Sequence, residues 1–126
     1  MAKSRRLNAQ QRGRVSETLV AIRYKLMGYR VLHRNWRIPG GELDLVLRRG
    51  SQVVVVEVRA RCFRGLLHPM DTITTAKKRT LRRSLQHCYH RIGSSEQAWR
   101  LDVASVRWWL LFPWIEVQAD VQFERD

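Results

Sequence analysis

The sequence predicts an α/β fold in which helices flank a central mixed β-sheet, with the elements in the order α-β-β-β-α-β-β. Two segments repeat apolar residues at the spacing of an amphipathic helix, and five segments carry the apolar patterns of strands. This order predicts layers of helix packed against a sheet. The 126 residues, 44% of them hydrophobic, suffice for one domain with one core.

The first predicted helix spans residues 15–27. Ser16 is its predicted N-cap, and Gly28 ends it, because glycine readily adopts the left-handed conformation that follows a helix. The preceding residues 1–14 are polar and basic and predict a flexible N-terminal arm or a frayed helix start, so that the folded domain spans 15–126. Apolar side chains repeat on one face of the helix at Val15, Leu19, Ile22 and Leu26.

A short strand over residues 29–32 and a turn at 38–41 precede a predicted hairpin. The hairpin strands span residues 42–48 and 52–61, because Gly50-Ser51 between them is typical of a type II′ turn. A two-residue loop matches the apolar faces of the two strands, which supports this register. The paired positions are Leu43 with Val58, Leu45 with Val56 and Leu47 with Val54.

A second helix is predicted over residues 74–92, and Gly93 ends it. Strands follow over residues 99–106 and 115–123, and the last of these alternates apolar with polar side chains throughout. The apolar stripe of this helix consists of Leu81, Leu85, Cys88 and Ile92.

The chain is strongly basic, with 24 lysine and arginine residues against 11 acidic ones and a net charge of +13. Such a charge favours a polyanionic partner, most commonly nucleic acid. The longest aliphatic run, Val53–Val56, is far too short to span a membrane, and no apolar segment follows the basic N-terminus as in a secretory signal. Two cysteines form no disulfide framework, so we expect a cytoplasmic protein with no membrane partner.

Three carboxylates interrupt the apolar strands of the predicted hairpin. Its register places Asp44 opposite Glu57 and Glu42 opposite Arg59. Cross-strand Cβ atoms lie about 4.5–5.5 Å apart, so two carboxylates there repel unless a proton or a divalent cation lies between them. Mg²⁺ or Mn²⁺ would polarise a phosphate and activate water, while the charge of Arg59 would stabilise the transition state. The alternative is an ordinary acidic, solvated sheet face.

The polar face of the second predicted helix is crowded with basic residues. Like charges lie four residues apart, which destabilises a helix, so we interpret this face as a nucleic-acid contact rather than a merely solvated surface. The predicted contact residues are Lys77, Lys78, Arg79, Arg82 and Arg83, with Arg61 from the hairpin.

Aromatic residues are concentrated in the connection before the last strand, at Trp108, Trp109, Phe112 and Trp114. Stacking on unpaired bases is one use for them. Contact within the core or across a homodimer is the interpretation that we prefer.

Residues 41–46 (GELDLV) and 55–61 (VVEVRAR) resemble the bacterial YraN family of uncharacterised proteins, whose pattern is G-E-I-D-L-I followed by F-V-E-V-K-x-R. Residues 31–35, 77–81 and 100–103 match further pieces of that pattern in order, so the resemblance covers nearly the whole chain from about residue 13. That family resembles the PD-(D/E)xK nuclease fold and the archaeal Holliday-junction resolvases.

The resemblance implies a restriction-endonuclease-like sheet, metal ligands at Asp44 and Glu57, and a supporting ligand at Glu17. It favours DNA over RNA as the partner, and a homodimer would suit the cleavage of two symmetric strands. The chain departs from the nuclease pattern at Arg59, where the nucleases carry lysine. Arginine keeps the charge and can bind phosphate through two parallel hydrogen bonds, but it cannot act as a base.

Three interpretations remain open from the sequence. The first is a metal-dependent endonuclease that hydrolyses phosphodiester bonds in DNA, branched DNA included. The second is a nucleic-acid-binding module that keeps the fold without the catalysis. The third, a protein-interaction subunit with incidental basicity, predicts no salt-dependent binding to DNA.

Overall fold

The computed structural model describes residues 7–39, 41–62 and 99–121, together with helical positions 76, 77, 79–81, 83 and 86. Its order confirms the predicted α/β fold. The elements are helix α1 (Ala9–Leu26), strands β1 (Arg30–Ile38), β2 (Gly41–Arg49) and β3 (Gln52–Cys62), the helical positions between 76 and 86 (α2), and strands β4 (Trp99–Trp109) and β5 (Phe112–Gln118).

The five described strands form one mixed sheet in the order β1-β2-β3-β4-β5. Strands β3 and β4 pair in parallel, and every other pair of neighbours is antiparallel. A parallel pair needs a crossover connection, and α2 belongs to the segment that makes it.

Both faces of the sheet carry a core. Helix α1 packs on one face, where Val20 and Tyr24 join Val54 and Val56 of β3. On the opposite face, Leu81 of α2 packs with a second set of buried side chains that includes Val53 and Val55. The continuous valine run of β3 is therefore explained by burial on both sides, as is typical of parallel strands in α/β folds.

Helix α1 begins at Ala9, so the predicted start at residue 15 is wrong and residues 9–14 belong to the helix rather than to an arm. Asn8 is the N-cap, and its side chain accepts a hydrogen bond from Gln11 N–H at 2.8 Å while Gln11 Oε1 accepts from Asn8 N–H at 2.9 Å. Residues 1–6 of the predicted arm lie outside the described residues. Gly28, with φ of 91°, ends the helix as predicted.

The face of α1 that packs on the sheet is the opposite of the predicted apolar stripe. Val15, Ile22 and Leu26 are exposed, whereas Val20, Ala21 and Tyr24 are buried. Ser16 is also buried, and its hydroxyl accepts a hydrogen bond from Trp108 Nε1 at 2.8 Å instead of capping the helix. Glu17 is half-buried on this side of the helix, one turn before the buried Ala21.

Three strands differ in length from the predictions. Strand β1 continues to Ile38 because its pairing with β2 runs to Ile38–Gly41, and β4 continues to Trp109. Strand β5 begins at Phe112 and ends at Gln118, since Asp120 has φ of 54° and the chain then turns. The predicted ends of the second helix, and residues 122 and 123 of the last strand, lie outside the described residues.

The aromatic residues around the β4–β5 turn divide between core and surface. Trp108 is buried, so core contact is correct for that residue. It is wrong for Trp109, Phe112 and Trp114, which are 63%, 67% and 66% exposed. Their contact across a homodimer stays a prediction.

Candidate active site

The side chains of strand β2 stop alternating regularly between the two faces of the sheet at Asp44. Leu43 packs in the core beside α2, whereas Leu45 and Leu47 pack in the core beside α1, so the alternation of faces is broken between them. Main-chain pairing with β3 confirms the predicted register at Leu47–Val54 and Leu45–Val56, and there it ends. The predicted pairing of Leu43 with Val58 is wrong.

Where the main-chain pairing of β2 with β3 ends, the side chain of Asp44 accepts the next hydrogen bond from β3. Asp44 Oδ2 accepts a hydrogen bond from Val58 N–H at 2.8 Å. Main-chain pairing with β3 ends before Asp44, but the side chains of Asp44 and Glu57 are adjacent, as the predicted register requires. A hydrogen bond between the two side chains affects the pKa of both, and the charge of Asp44 raises the pKa of Glu57.

Glu57 is a buried carboxylate on the central strand β3, with 4% of its surface exposed. Burial, followed by the charge of Asp44, raises its pKa to about 7. Its Oε1 lies 3.2 Å from Lys77 Nζ and 3.9 Å from the guanidinium nitrogen Nη1 of Arg59. Its Oε2 is buried and has no hydrogen-bond partner within the described part of the chain. A side-chain hydrogen bond with Asp44 also raises the pKa of Glu57, so the two carboxyl groups are close enough to share one proton or one cation.

Asp44 is half-buried, and burial raises its pKa while the hydrogen bond from Val58 N–H lowers it. A hydrogen bond to the charged form favours ionisation, so the backbone contact opposes the effect of burial. Asp44 is held in place by this contact and stands beside a carboxylate that titrates near neutral pH. Such a pair can share one proton or one divalent cation.

Glu17 and Asn35 approach the same region from α1 and β1. Burial raises the pKa of Glu17, the side-chain hydrogen bond with Asn35 lowers it, and the charge of Asp44 raises it further. Asn35 lies between Arg34 and Trp36, the partners of Leu45 and Leu43, and its φ of 49° breaks β1 opposite Asp44. Asparagine tolerates this left-handed conformation better than most residues.

No sequence pattern predicts a role for Asn35, although it is part of the matched segment 31–35. Its left-handed conformation could not be expected inside a strand, since strands normally keep φ negative.

Among the residues that the structure describes, no three Asp, Glu, His or Cys side chains form a ready-made metal-binding group. A metal site that includes Glu17 with Asp44 and Glu57 stays a prediction; Glu17 forms a side-chain hydrogen bond with Asn35, and the charge of Asp44 raises its pKa. Two carboxylates still suit Mg²⁺ or Mn²⁺, because Mg²⁺ is usually held by one or two carboxylates plus waters and phosphate. The buried Oε2 of Glu57 is compatible with such a ligand.

Two cationic side chains flank Glu57. Arg59 shares its face of β3, as predicted, while Lys77 comes from α2 and makes the shorter contact. The sequence predicted Lys77 only as a nucleic-acid contact. Its contact with Glu57 could not be predicted, because it depends on how the crossover segment packs on the sheet. Glu42 makes an ion pair with Arg37 at 3.7 Å across the β1–β2 pair. Its predicted position opposite Arg59 is not part of the β2–β3 pairing, which ends at Leu45–Val56.

The remaining predicted nucleic-acid contacts are placed in part. Arg79 and Arg83 on α2 and Arg61 near the end of β3 are exposed. Lys78 and Arg82 lie outside the described residues. Within the described ranges, no helix is long and apolar enough to cross a membrane.

Comparison with known proteins finds relatives over most of the chain. A family model described as uncharacterised protein family UPF0102 matches residues 16–106, a span that includes the candidate active site. A UPF0102 protein of Chloroflexus aurantiacus is 38% identical over 98 residues, which cover 75% of this chain and 77% of the relative. A UPF0102 protein of Moorella thermoacetica is 33% identical over 104 residues, which cover 82% and 85% of the two chains. These matches confirm the resemblance to a family of uncharacterised bacterial proteins.

Proposed function

The chain belongs to the uncharacterised protein family UPF0102, and we propose that it is a divalent-cation-dependent endonuclease that hydrolyses phosphodiester bonds in DNA. One observation carries the proposal: Glu57, buried in the central strand beside Asp44, has a buried carboxylate oxygen that no donor among the described residues binds. Burying two adjacent carboxylates costs several kcal/mol unless cations compensate them, and Lys77 and Arg59 contact only the other oxygen of Glu57. Perturbed carboxylates of this kind concentrate at functional sites.

Asp44 and Glu57 are the residues that would hold Mg²⁺ or Mn²⁺, with waters and a phosphate oxygen as the other ligands. When bound, the cation would act as a Lewis acid towards the phosphate and lower the pKa of a water ligand. Asp44 is positioned for this role by Val58 N–H at 2.8 Å. Glu17, through its hydrogen bond with Asn35, supports the side of β1 that faces Asp44.

Lys77 and Arg59 supply positive charge to a phosphate bound at this site. Arg59 can bind two phosphate oxygens at once and stabilises the charge that develops in the transition state. Lys77 Nζ lies 3.2 Å from Glu57 Oε1 and brings a lysine ammonium to the same carboxylate. The chain thus has a lysine at the carboxylates although β3 carries arginine where the resembled nucleases carry lysine.

The charge of the molecule supports DNA as the substrate. A net charge of +13 attracts the phosphate backbone, and Arg61 on β3 and Arg79 and Arg83 on α2 are exposed. Arg59 at the lysine position favours a second candidate function, a nucleic-acid-binding module that keeps the fold without catalysis. Both functions predict salt-dependent binding to DNA, but only the endonuclease predicts that the DNA is cleaved.

A cleavage assay separates them. Four-way junction, flap, linear duplex and single-stranded DNA are offered with Mg²⁺, with Mn²⁺ and with EDTA to the wild type, to Asp44→Asn and to the control Glu116→Gln. Cleavage that needs the cation and falls about a hundredfold or more in Asp44→Asn alone supports the endonuclease. DNA binding without cleavage supports the binding module. Absence of salt-dependent binding contradicts both.

A further inference from the structure

One face of the sheet leads from the candidate active site to the β4–β5 turn. Side chains alternate along a strand, so Glu57, Arg59 and Arg61 share a face of β3. The parallel register pairs Arg59 with Ser105 and Arg61 with Arg107. That face is the one on which Leu81 of α2 packs, since it also carries the buried residues Val53, Val55, Leu101 and Val103.

The same face of the sheet ends in exposed aromatic side chains. Arg107 pairs with Trp114, and Trp109 pairs with Phe112, across the antiparallel β4–β5 pair. Trp109, Phe112 and Trp114, here called the aromatic patch, are each exposed over more than 60% of their surface. The rings of Trp109 and Phe112 lie 6.3 Å apart at 27° and leave their outer faces open. With Pro113 and the stem of Arg107 they line a cleft of about 360 Å³.

The distance between the aromatic patch and the carboxylates corresponds to a definite length of nucleic-acid strand. Glu57 pairs with Val103, and Trp109 lies six residues further along β4. At about 3.3 Å per residue this is about 20 Å, which corresponds to about six stacked nucleotides at 3.4 Å each.

We propose that the aromatic patch stacks unpaired bases, and that the substrate of the carboxylate site carries a single-stranded segment about six nucleotides from the cleaved phosphate. The inference rests on the proposed endonuclease and adds its substrate class. Unpaired bases present π-faces to aromatic side chains, whereas a continuous duplex hides them. Single-stranded tails, flaps and branched structures with open bases meet the requirement, and a blunt duplex does not.

Charge favours nucleic acid over a second copy of the chain as the occupant of the aromatic patch. Arg59 and Arg61 lie on the same face, and they would accompany a strand that runs from the patch to Glu57. Two copies joined through this face would bring together two chains of charge +13, and their like charges oppose such contact.

The test measures binding in EDTA, so that cleavage plays no part. A duplex with a ten-nucleotide single-stranded tail and a blunt duplex of the same sequence are titrated by fluorescence anisotropy at fixed salt. Trp114→Ala should weaken binding of the tailed DNA about tenfold, Trp114→Phe should retain most of the affinity, and blunt-duplex binding should not change. The matched control is Leu111→Ala, which removes an exposed aliphatic side chain from the same turn.

Equal losses for tailed and blunt DNA, or no loss for either, would overturn the stacking site and leave the endonuclease to be decided by its cation-dependent cleavage. A lower sedimentation mass of Trp114→Ala with unchanged tail affinity would assign the aromatic patch to self-association and overturn the proposal. Failure of the wild type to bind either DNA would overturn both the stacking site and the proposed function.

Discussion

Replacing Glu57 with glutamine should stabilise the folded protein increasingly as the pH rises. Glutamine keeps the size of the side chain and removes the buried charge. The ordinary pKa of the glutamate carboxyl is 4.5, and burial beside Asp44 raises it to about 7 in the folded state. Below pH 4.5 the carboxyl is protonated in both states and carries no penalty.

The sign of the effect follows from where the proton is held. Between pH 4.5 and about 7 the folded state keeps a proton that the unfolded state has lost, so wild-type stability falls as the pH rises. Over this pH interval the free energy of unfolding of the wild type falls by an amount on the order of 3 kcal/mol. About 2 kcal/mol of this loss falls between pH 5 and pH 8, and the free energy of unfolding of Glu57→Gln relative to wild type should rise by about 2 kcal/mol between the same two pH values.

Urea unfolding followed by tryptophan fluorescence at several pH values between 5 and 8, in EDTA, measures this difference. Glu116→Gln is the control, because Glu116 is a partly exposed carboxylate whose ion pair with Arg107 spans 3.6 Å. Its removal should change stability by less than about 1 kcal/mol at each pH. A wild-type to Glu57→Gln difference that is the same at pH 5 and pH 8 would refute the buried, proton-binding Glu57.

Two further substitutions test the contacts of the site and of α1. Lys77→Ala should lower single-turnover cleavage about a hundredfold, because it removes the cation nearest to Glu57, whereas Arg79→Ala on the exposed side of α2 should only weaken DNA binding. Equal cleavage by the two variants would contradict the role of Lys77. Trp108→Phe should cost about 1–3 kcal/mol in urea unfolding, because it leaves the buried Ser16 hydroxyl without its donor. Trp109→Phe, in the exposed aromatic patch, should change stability little, and a cost equal to that of Trp108→Phe would contradict this account.

Local sequence patterns predicted the order of elements and the hairpin register well. Gly50-Ser51 identified the turn, and a one-residue slip would have turned the leucines of β2 away from the valines of β3. Glycine at 28 likewise ended α1 as expected. The turn and the helix end are determined by residues close together in the sequence, so local sequence patterns are sufficient to predict them.

The face and start of α1 could not be predicted as reliably. Val15, Ile22 and Leu26 form an apolar stripe, but the opposite face fits the sheet because it carries Ser16 and Tyr24, whose polar groups find buried partners on β4. The capping box of Asn8 with Gln11 was a local signal that the apolar pattern concealed.

The carboxylate pair was predicted, and its geometry was not. The sequence identified Asp44 and Glu57. Its periodicity does not predict that the Asp44 side chain accepts the hydrogen bond of a β3 main-chain N–H, or that Asn35 adopts a left-handed conformation within β1. The contact of Lys77 with Glu57 arises only when α2 packs over the sheet. Such contacts join distant parts of the chain and are determined by tertiary packing.

Isothermal titration of Mn²⁺ into the metal-free protein at pH 8 tests the central claim most directly, because it asks whether Asp44 and Glu57 bind a divalent cation without requiring a substrate. Wild type and Glu116→Gln should bind Mn²⁺ alike, and Asp44→Asn and Glu57→Gln should each lose at least tenfold in affinity. Binding that is unchanged in both carboxylate variants, or absent from the wild type with and without added DNA, would contradict the account.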